Sequence, residues 1–325
     1  MNTQEPYKTL KRVIDEAEAI TLLTHKNPDA DTLGTALGIY ALLKPRFLKR
    51  IEVVNCDKAL PKEVDFLVGF EKIKSKIEFD ESLIICCDGG SVERFGFSLE
   101  GRRVVNIDHH LTNTSYGMLN IVNPLAASAS QVAFDAFSRL YPIGKESATA
   151  WYTALLSDTQ NFTTSSVNAE VFSLASTLIE KGADASYIAS MLRQRKPLSG
   201  VRLLALALQT LRLHKEGRVA SVYVSEEMFE ATGATLLESE GIVEYARDLV
   251  TVEVAIFVRE VAEGFRVSLR SKEVDISQVA MLFGGGGHRF ASGFTYERAE
   301  ESMDSFIETI LEKIETVGIL NETKK

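Results

Sequence analysis

A chain of 325 residues is more than one hydrophobic core comfortably fills, so two domains are expected, and 45% hydrophobic with 25% charged residues excludes a disordered or fibrous chain. A net charge of −9 disfavours non-specific gripping of long nucleic acid, which needs many phosphate neutralisations, but leaves room for a short anionic substrate where metal ions supply local positive charge. Three cysteines are too few for a disulfide framework, the first twenty residues carry acids where an export signal would be apolar, and no apolar run reaches the ~18–20 residues of a membrane span, so a cytoplasmic protein without membrane partners is expected.

In chain order, ITLLTH (20–25), IEVVN (51–55), LIICCD (83–88) and VVNIDHH (104–110) are short, nearly continuous apolar runs, the pattern of strands covered by helices on both faces. Between them, 32–43 and 62–69 suit helices. Residues 130–140, 146–157 and 169–181 continue as helices, the last closed by Gly182 as a C-cap. This alternation predicts a mostly parallel α/β domain over 1–188. Residues 189–212 read as a basic helical linker, with Arg193, Arg195, Lys196, Arg202 and Arg212 but no acid, and with a break at Lys196-Pro197. In 213–325, runs at 218–225, 252–260 and 264–271 read as strands, the last two joined through Glu263-Gly264 as an antiparallel hairpin. Helices are expected at 275–283 and 300–315, and the NETKK tail is expected to fray. The predicted fold class is α/β: a mostly parallel-sheet domain plus a smaller α/β domain containing an antiparallel hairpin.

Three of the apolar runs end in residues that ligate metals. The first ends at His25 and leads to Asp29 and Asp31, the third ends at Asp88, and the fourth at Asp108, His109 and His110. Ligands of an open parallel sheet bind beyond the carboxyl ends of its strands, so these residues are expected at one rim, and Asp158, ending the apolar helix TAWYTALLSD, can reach back to it. Singly, each has a plainer reading: Asp31 as an N-cap, Asp88-Gly89-Gly90 as a turn, the histidines as surface groups. Together they do not, because three of only five histidines fall at these strand ends, each close to an aspartate. Carboxylates with a minority of imidazole suit Mn²⁺ or a similar divalent ion. Six ligands sharing one carboxylate would hold two ions ~3.5–4 Å apart, an arrangement that activates water and clamps an in-line phosphoryl displacement. In the second half, Gly284-Gly285-Gly286-Gly287-His288 lies between apolar segments, so a glycine nest for an anion is expected rather than a linker. Arg270 ends a predicted strand as a second phosphate or base contact. Ser128 reads as a helix cap, and Phe290 and Phe294 are divided between base stacking and core packing.

His25-x-x-x-Asp29-x-Asp31, Asp88, Asp108-His109-His110 and Asp158 resemble the four motifs of the DHH phosphoesterase family. Arg270-Ser271, the glycine run and Ala291-Ser292-Gly293 resemble its associated C-terminal domain. Within that family the length and arrangement are most similar to the branch acting on short oligoribonucleotides (nanoRNases) and on 3′-phosphoadenosine-5′-phosphate (pAp). The resemblance implies His25, Asp29 and Asp88 on one Mn²⁺ and Asp31, Asp88, His109 and Asp158 on the other, with Asp88 bridging. It further implies Asp108 as an orienting acid, His110 at the scissile phosphate, and Arg270, Ser271, Gly285, Gly286, Gly287 and His288 as substrate contacts across a cleft. Three other readings stay open: a linear-dinucleotide phosphodiesterase, a RecJ-like single-strand exonuclease, and a nucleotide-binding regulator without catalysis. Long double-stranded nucleic acid is not expected as a partner; a homodimer is left open.

Overall fold

The computed structural model describes residues 5–46, 50–57, 59–262, 264–297 and 302–320, and the chain divides into two compact units, 1–195 and 196–325. The first contains α1 (Glu5–Glu16), β1 (Ala19–Thr24), α2 (Ala30–Leu43), β2 (Arg50–Val54), β3 (Leu83–Cys87), β4 (Val104–Asp108) and β5 (Leu119–Val122). It continues with α3 (Ala129–Phe137), α4 (Lys145–Asp158), α5 (Ala169–Glu180) and α6 (Ala185–Arg193). Its strands pair in parallel in the order β2-β1-β3-β4-β5. The chain turns outward from β1 to β2, then returns to place β3 on the other side of β1. That reversal is the switch point where open α/β sheets bind ligands.

The central strands β1, β3 and β4 are buried along their whole length, as their continuous apolar runs require. One face, including Leu22, Ile85 and Ile107, packs against residues of α1 to α4. The other face differs from expectation. Leu23, Val54, Ile84, Cys86 and Val104 are covered by Phe95, Leu99 and neighbouring irregular segments instead of helices. The β3–β4 connection holds only a 3₁₀ turn, Val92–Phe95, in a stretch punctuated by glycine. The helix expected at 62–69 is likewise absent: Lys62–Val64 is a single 3₁₀ turn, with i→i+3 bonds from Asp65 to Lys62 and from Leu67 to Val64. Gly69, at φ 93, ends the segment. Strand β5 carried no clear signal, being a four-residue, half-buried edge strand.

Two glycines set the spacing of α2 against α4. A Cβ on Gly34 would lie 2.7 Å from the Ala150 carbonyl oxygen, and one on Gly38 would collide with the Trp151 ring. The helices therefore meet backbone to side chain around the fully buried Trp151, whose Nε1 donates to the Thr35 carbonyl (3.3 Å).

The second unit contains α7 (Leu198–Gln209), β6 (Arg212–His214), β7 (Val219–Val224), α8 (Glu226–Thr232), α9 (Ile242–Arg247), β8 (Val254–Val261) and β9 (Gly264–Ser271). It closes with α10 (Ser277–Leu282), β10 (Gly286–His288), β11 (Ala291–Glu297) and α11 (Met303–Val317). The sheet order is β10-β11-β9-β8-β7-β6, with β7 and β8 parallel and the other pairs antiparallel. Alternation decides its two faces: Val254, Ile256 and Val258 of β8 join the core of α10 and α11, while Ala255 and Phe257 join that of α7 and α9. The β8–β9 hairpin is present as expected, though Glu263 of its turn lies outside the described residues, as do the first residues of the expected 300–315 helix and the NETKK tail. Residues 189–212 comprise the end of α6, a short break and α7, whose Leu203 and Ala207 sit in the second unit's core. Among the described residues no helix is long and apolar enough to cross a membrane.

Candidate metal centre

The first unit gathers His25, Asp29, Asp31, Asp88, His109, His110 and Asp158 beyond the carboxyl ends of β1, β3 and β4. Three sets of ligand atoms each lie within 4.8 Å of one another: His25, Asp29 and Asp88; Asp31, His109 and Asp158; and Asp88, His109 and His110. Asp88 belongs to two of the three. Its conformation is unusual, with φ 61 directly after β3, which a non-glycine residue adopts at a cost. The turn is pinned by its N–H donating to the Ile107 carbonyl (2.9 Å).

Each imidazole is held so that one nitrogen faces the carboxylates. His25 Nδ1 donates to the Lys26 carbonyl (2.8 Å), which puts the proton there and leaves Nε2 3.3 Å from Asp88 Oδ2 and 3.7 Å from Asp29 Oδ1. His109 Nδ1 donates to the Ala126 carbonyl (3.1 Å), leaving Nε2 3.5 Å from Asp88 Oδ1, 3.5 Å from Asp158 Oδ2 and 3.8 Å from Asp31 Oδ2. Carbonyls fixing the tautomer of ligating histidines are the usual outer support of a metal site. The carboxylates are oriented as well. Asp29, not Asp31, is the N-cap of α2, its Oδ1 accepting from the N–H groups of Asp31 and Thr32 (both 3.0 Å). Asp31 lies in the first helical turn, buried, and accepts from Thr35 Oγ1 (3.2 Å) and from the Ala129 and Ser130 N–H groups at the start of α3 (2.8 and 3.3 Å). Ser128 caps α3 through Gln131 N–H (3.2 Å), as expected.

The electrostatics are those of a cation site. Burial alone would lower the His25 and His109 pKa values, but the facing carboxylates outweigh it and hold each up at about 10. Burial would raise Asp88, yet the two imidazoles outweigh it and pull its carboxyl well below the usual range. Burial raises Asp158 to about 7, with Asp88 and Asp29 adding to it, and raises Asp31 well above an ordinary carboxylate. Asp88 Oδ1 is buried without a hydrogen-bond partner, His109 Nε2 lying 3.5 Å and His110 Nδ1 3.6 Å away. A carboxylate oxygen left this way, among imidazole nitrogens turned inward, fits a divalent cation better than it fits protons.

Asp108 takes a different part. It is fully buried; Oδ1 accepts from His110 Nδ1 (2.7 Å) and Oδ2 from Asn113 Nδ2. Asn113 Oδ1 in turn accepts from Asn106 Nδ2 (2.9 Å), which also reaches Asn120 Oδ1 (3.1 Å). The hydrogen bond that His110 donates to Asp108 raises the His110 pKa. Sequence reasoning did not single out this asparagine chain, nor Thr32, whose hydroxyl donates to the Cys87 carbonyl (2.7 Å) and accepts from the His25 N–H (3.3 Å). Their only sequence signal is closeness to the motifs.

The second unit places its candidate residues around β9 and β10. Arg270 donates from Nε to Glu244 Oε1 (3.1 Å) and from Nη1 to the Leu269 carbonyl (3.0 Å). The Ser271 hydroxyl donates to the Val274 carbonyl. Gly286, Gly287 and His288 form β10, paired with Gly293, Ser292 and Ala291. The glycines have a packing reason: a Cβ on Gly285 would strike Gly293 and Phe294, and one on Gly287 would lie 2.6 Å from the Ala291 carbonyl oxygen. Phe294 is buried and stacks on Phe283 (4.3 Å between centroids), whereas Phe290 remains 43% exposed.

With this geometry in place, comparison with known proteins supplies the family. The model of the DHH family, N-terminal domain, matches residues 19–157, and that of the DHHA1 domain matches 217–316. The "Bifunctional oligoribonuclease and PAP phosphatase NrnA" of Thermus thermophilus is 29% identical, covering 97% of each chain. The protein of that name from Bacillus subtilis is 27% identical, covering 95% of this chain and 97% of its own. A solved structure of an exopolyphosphatase-related protein from Bacteroides fragilis matches with a TM-score of 0.88 and 27% identity, over 97% of this chain and 98% of that one. The chain carries a DHH-family N-terminal domain in its first unit and a DHHA1 domain in its second.

Proposed function

We propose that the protein hydrolyses short oligoribonucleotides and 3′-phosphoadenosine-5′-phosphate with two divalent ions, Mn²⁺ by the chemistry of the donor set. The observation that carries this reading is the position of Asp88, which shares one ligand set with His25 and Asp29 and stands 3.5 Å from His109 of the Asp31, His109 and Asp158 set, and the relatives' names give the substrate class. His25, Asp29 and Asp88 would hold one ion, and Asp31, Asp88, His109 and Asp158 the other. Two bound ions supply water activation near neutral pH and stabilisation of charge in an in-line displacement. The chain's own residues do the rest. The Lys26 and Ala126 carbonyls keep the histidine nitrogens aimed inward, and the N–H groups at the start of α3 orient Asp31 in its buried position. Asp108 holds the imidazolium form of His110, which donates its proton to the leaving oxygen as the phosphorus–oxygen bond breaks. We assign substrate holding in the second unit to Arg270, Ser271, Gly285, Gly286, Gly287 and His288; Arg270 serves there only by sharing its guanidinium with Glu244.

Initial rates of the Mn²⁺-loaded protein on pAp, on oligoribonucleotides of two to ten residues and on pyrophosphate test the reading. Efficiency is expected to peak on pAp and the shortest oligonucleotides. A preference for pyrophosphate, or rapid digestion of long single strands, would replace it.

A further inference from the structure

Beside the acidic cluster stand two cations that the metal chemistry does not use. Lys26 follows His25 directly, and Arg94 lies in the 3₁₀ turn after β3; their backbones are tied by Lys26 N–H donating to the Arg94 carbonyl (2.7 Å), and both side chains are exposed. The Arg94 Nη2 stands 3.5 Å from His25 Nδ1. That contact is no hydrogen bond once Nδ1 carries its proton toward the Lys26 carbonyl, because two donors then face each other. Glu93 and Asp57 are neighbours, but among the described residues no carboxylate comes within ion-pair distance of Lys26 or Arg94, and Asp57 instead accepts from the Asn27 N–H. Gly96, at φ 73, makes room for the lysine stem: a Cβ there would lie 2.9 Å from Lys26 Cε. A pair of cations that makes no ion pair among the described residues, on the rim of a site built from carboxylates, is placed to receive an anion arriving with the substrate.

Resting on the phosphoesterase reading above, we propose that Lys26 and Arg94 form a subsite for the substrate's second, non-scissile phosphate. The ligand class is thus a nucleotide carrying a terminal phosphomonoester in addition to the bond that is cleaved. Arg94 presents its planar fork to two phosphate oxygens, and Lys26 adds a point charge. The subsite selects short substrates because a terminal phosphate reaches it only when few residues separate that phosphate from the scissile bond.

The test compares pApA with ApA, which share one internal phosphodiester and differ in the 5′-phosphate. The Mn²⁺-loaded wild type is expected to favour pApA in kcat/KM by about tenfold or more, the scale of one charge-assisted contact. Arg94→Gln and Lys26→Gln should each lower that ratio several-fold, mostly through KM, and Arg94→Lys should keep a larger part of it. Mn²⁺ affinity measured by calorimetry should match wild type in all three. An unchanged ratio, or equal losses on both substrates, overturns the subsite. Weakened metal binding also overturns it, since Arg94 would then be acting on His25. If the wild type cleaves both substrates with equal efficiency, the subsite falls and the hydrolytic reading stands. If it cleaves neither, both fall.

Discussion

Asp88 concentrates the energetics of the site into one side chain. It is buried, twisted to positive φ, and shared between two ligand sets. Asp88→Asn keeps the shape and removes the charge. The expected result is loss of tight Mn²⁺ binding in calorimetry and a fall in turnover of about 10³-fold or more, the scale of removing a catalytic electrostatic group. Asp108 supports the site at one remove, so Asp108→Asn should cost about 10–100-fold in kcat, as outer supports of metal sites commonly do. Protons and metal compete for the same nitrogens. With folded values of about 10 against an ordinary 6.5, His25 and His109 in the metal-free protein contribute stability that is complete below pH 6.5 and is lost as pH rises through about 10. Melting temperatures in chelator should therefore fall between pH 7 and 10, while the Mn²⁺-loaded protein, whose histidines are already neutral, should change little there. Parallel curves would contradict the cation-site account.

The candidate metal ligands were legible in the sequence because most sit at the ends of apolar runs, and a strand's end is set by where its burial stops. What escaped lay in elements whose stability comes from partners. Strand β5 is a half-buried edge, and the 62–69 segment makes i→i+3 rather than i→i+4 bonds before Gly69, at φ 93, ends it. The glycine run illustrates a residue type with two readings: Gly285 and Gly287 are required by the close approach of β10 and β11, whatever else they contact. The α2–α4 contact carries a sharper consequence, since α2 presents Asp31 and α4 ends at Asp158. Gly38→Ala drives a Cβ into Trp151 and should cost about 1–3 kcal/mol of stability, as overpacking typically does. It should also weaken metal binding by spreading Asp31 from Asp158, which calorimetry and chemical denaturation together would show. A variant of unchanged stability would mean the helices adjust freely.

At the scale of the whole molecule, all six proposed metal ligands and the proposed Lys26–Arg94 subsite belong to the first unit, while Arg270, Ser271, Gly285, Gly286, Gly287 and His288 belong to the second. Each unit has its own core. This division has a testable form: the 1–195 fragment should melt cooperatively and bind Mn²⁺ with an affinity close to that of the full chain, while its KM for pAp rises steeply. On the proposed function, turnover depends on two divalent ions held around Asp88. The most direct measurement titrates Mn²⁺ into the metal-stripped full chain while following hydrolysis of pAp. No turnover is expected without metal, and full activity only after a second equivalent is bound. Full activity after one equivalent, or in the presence of chelator, would contradict it.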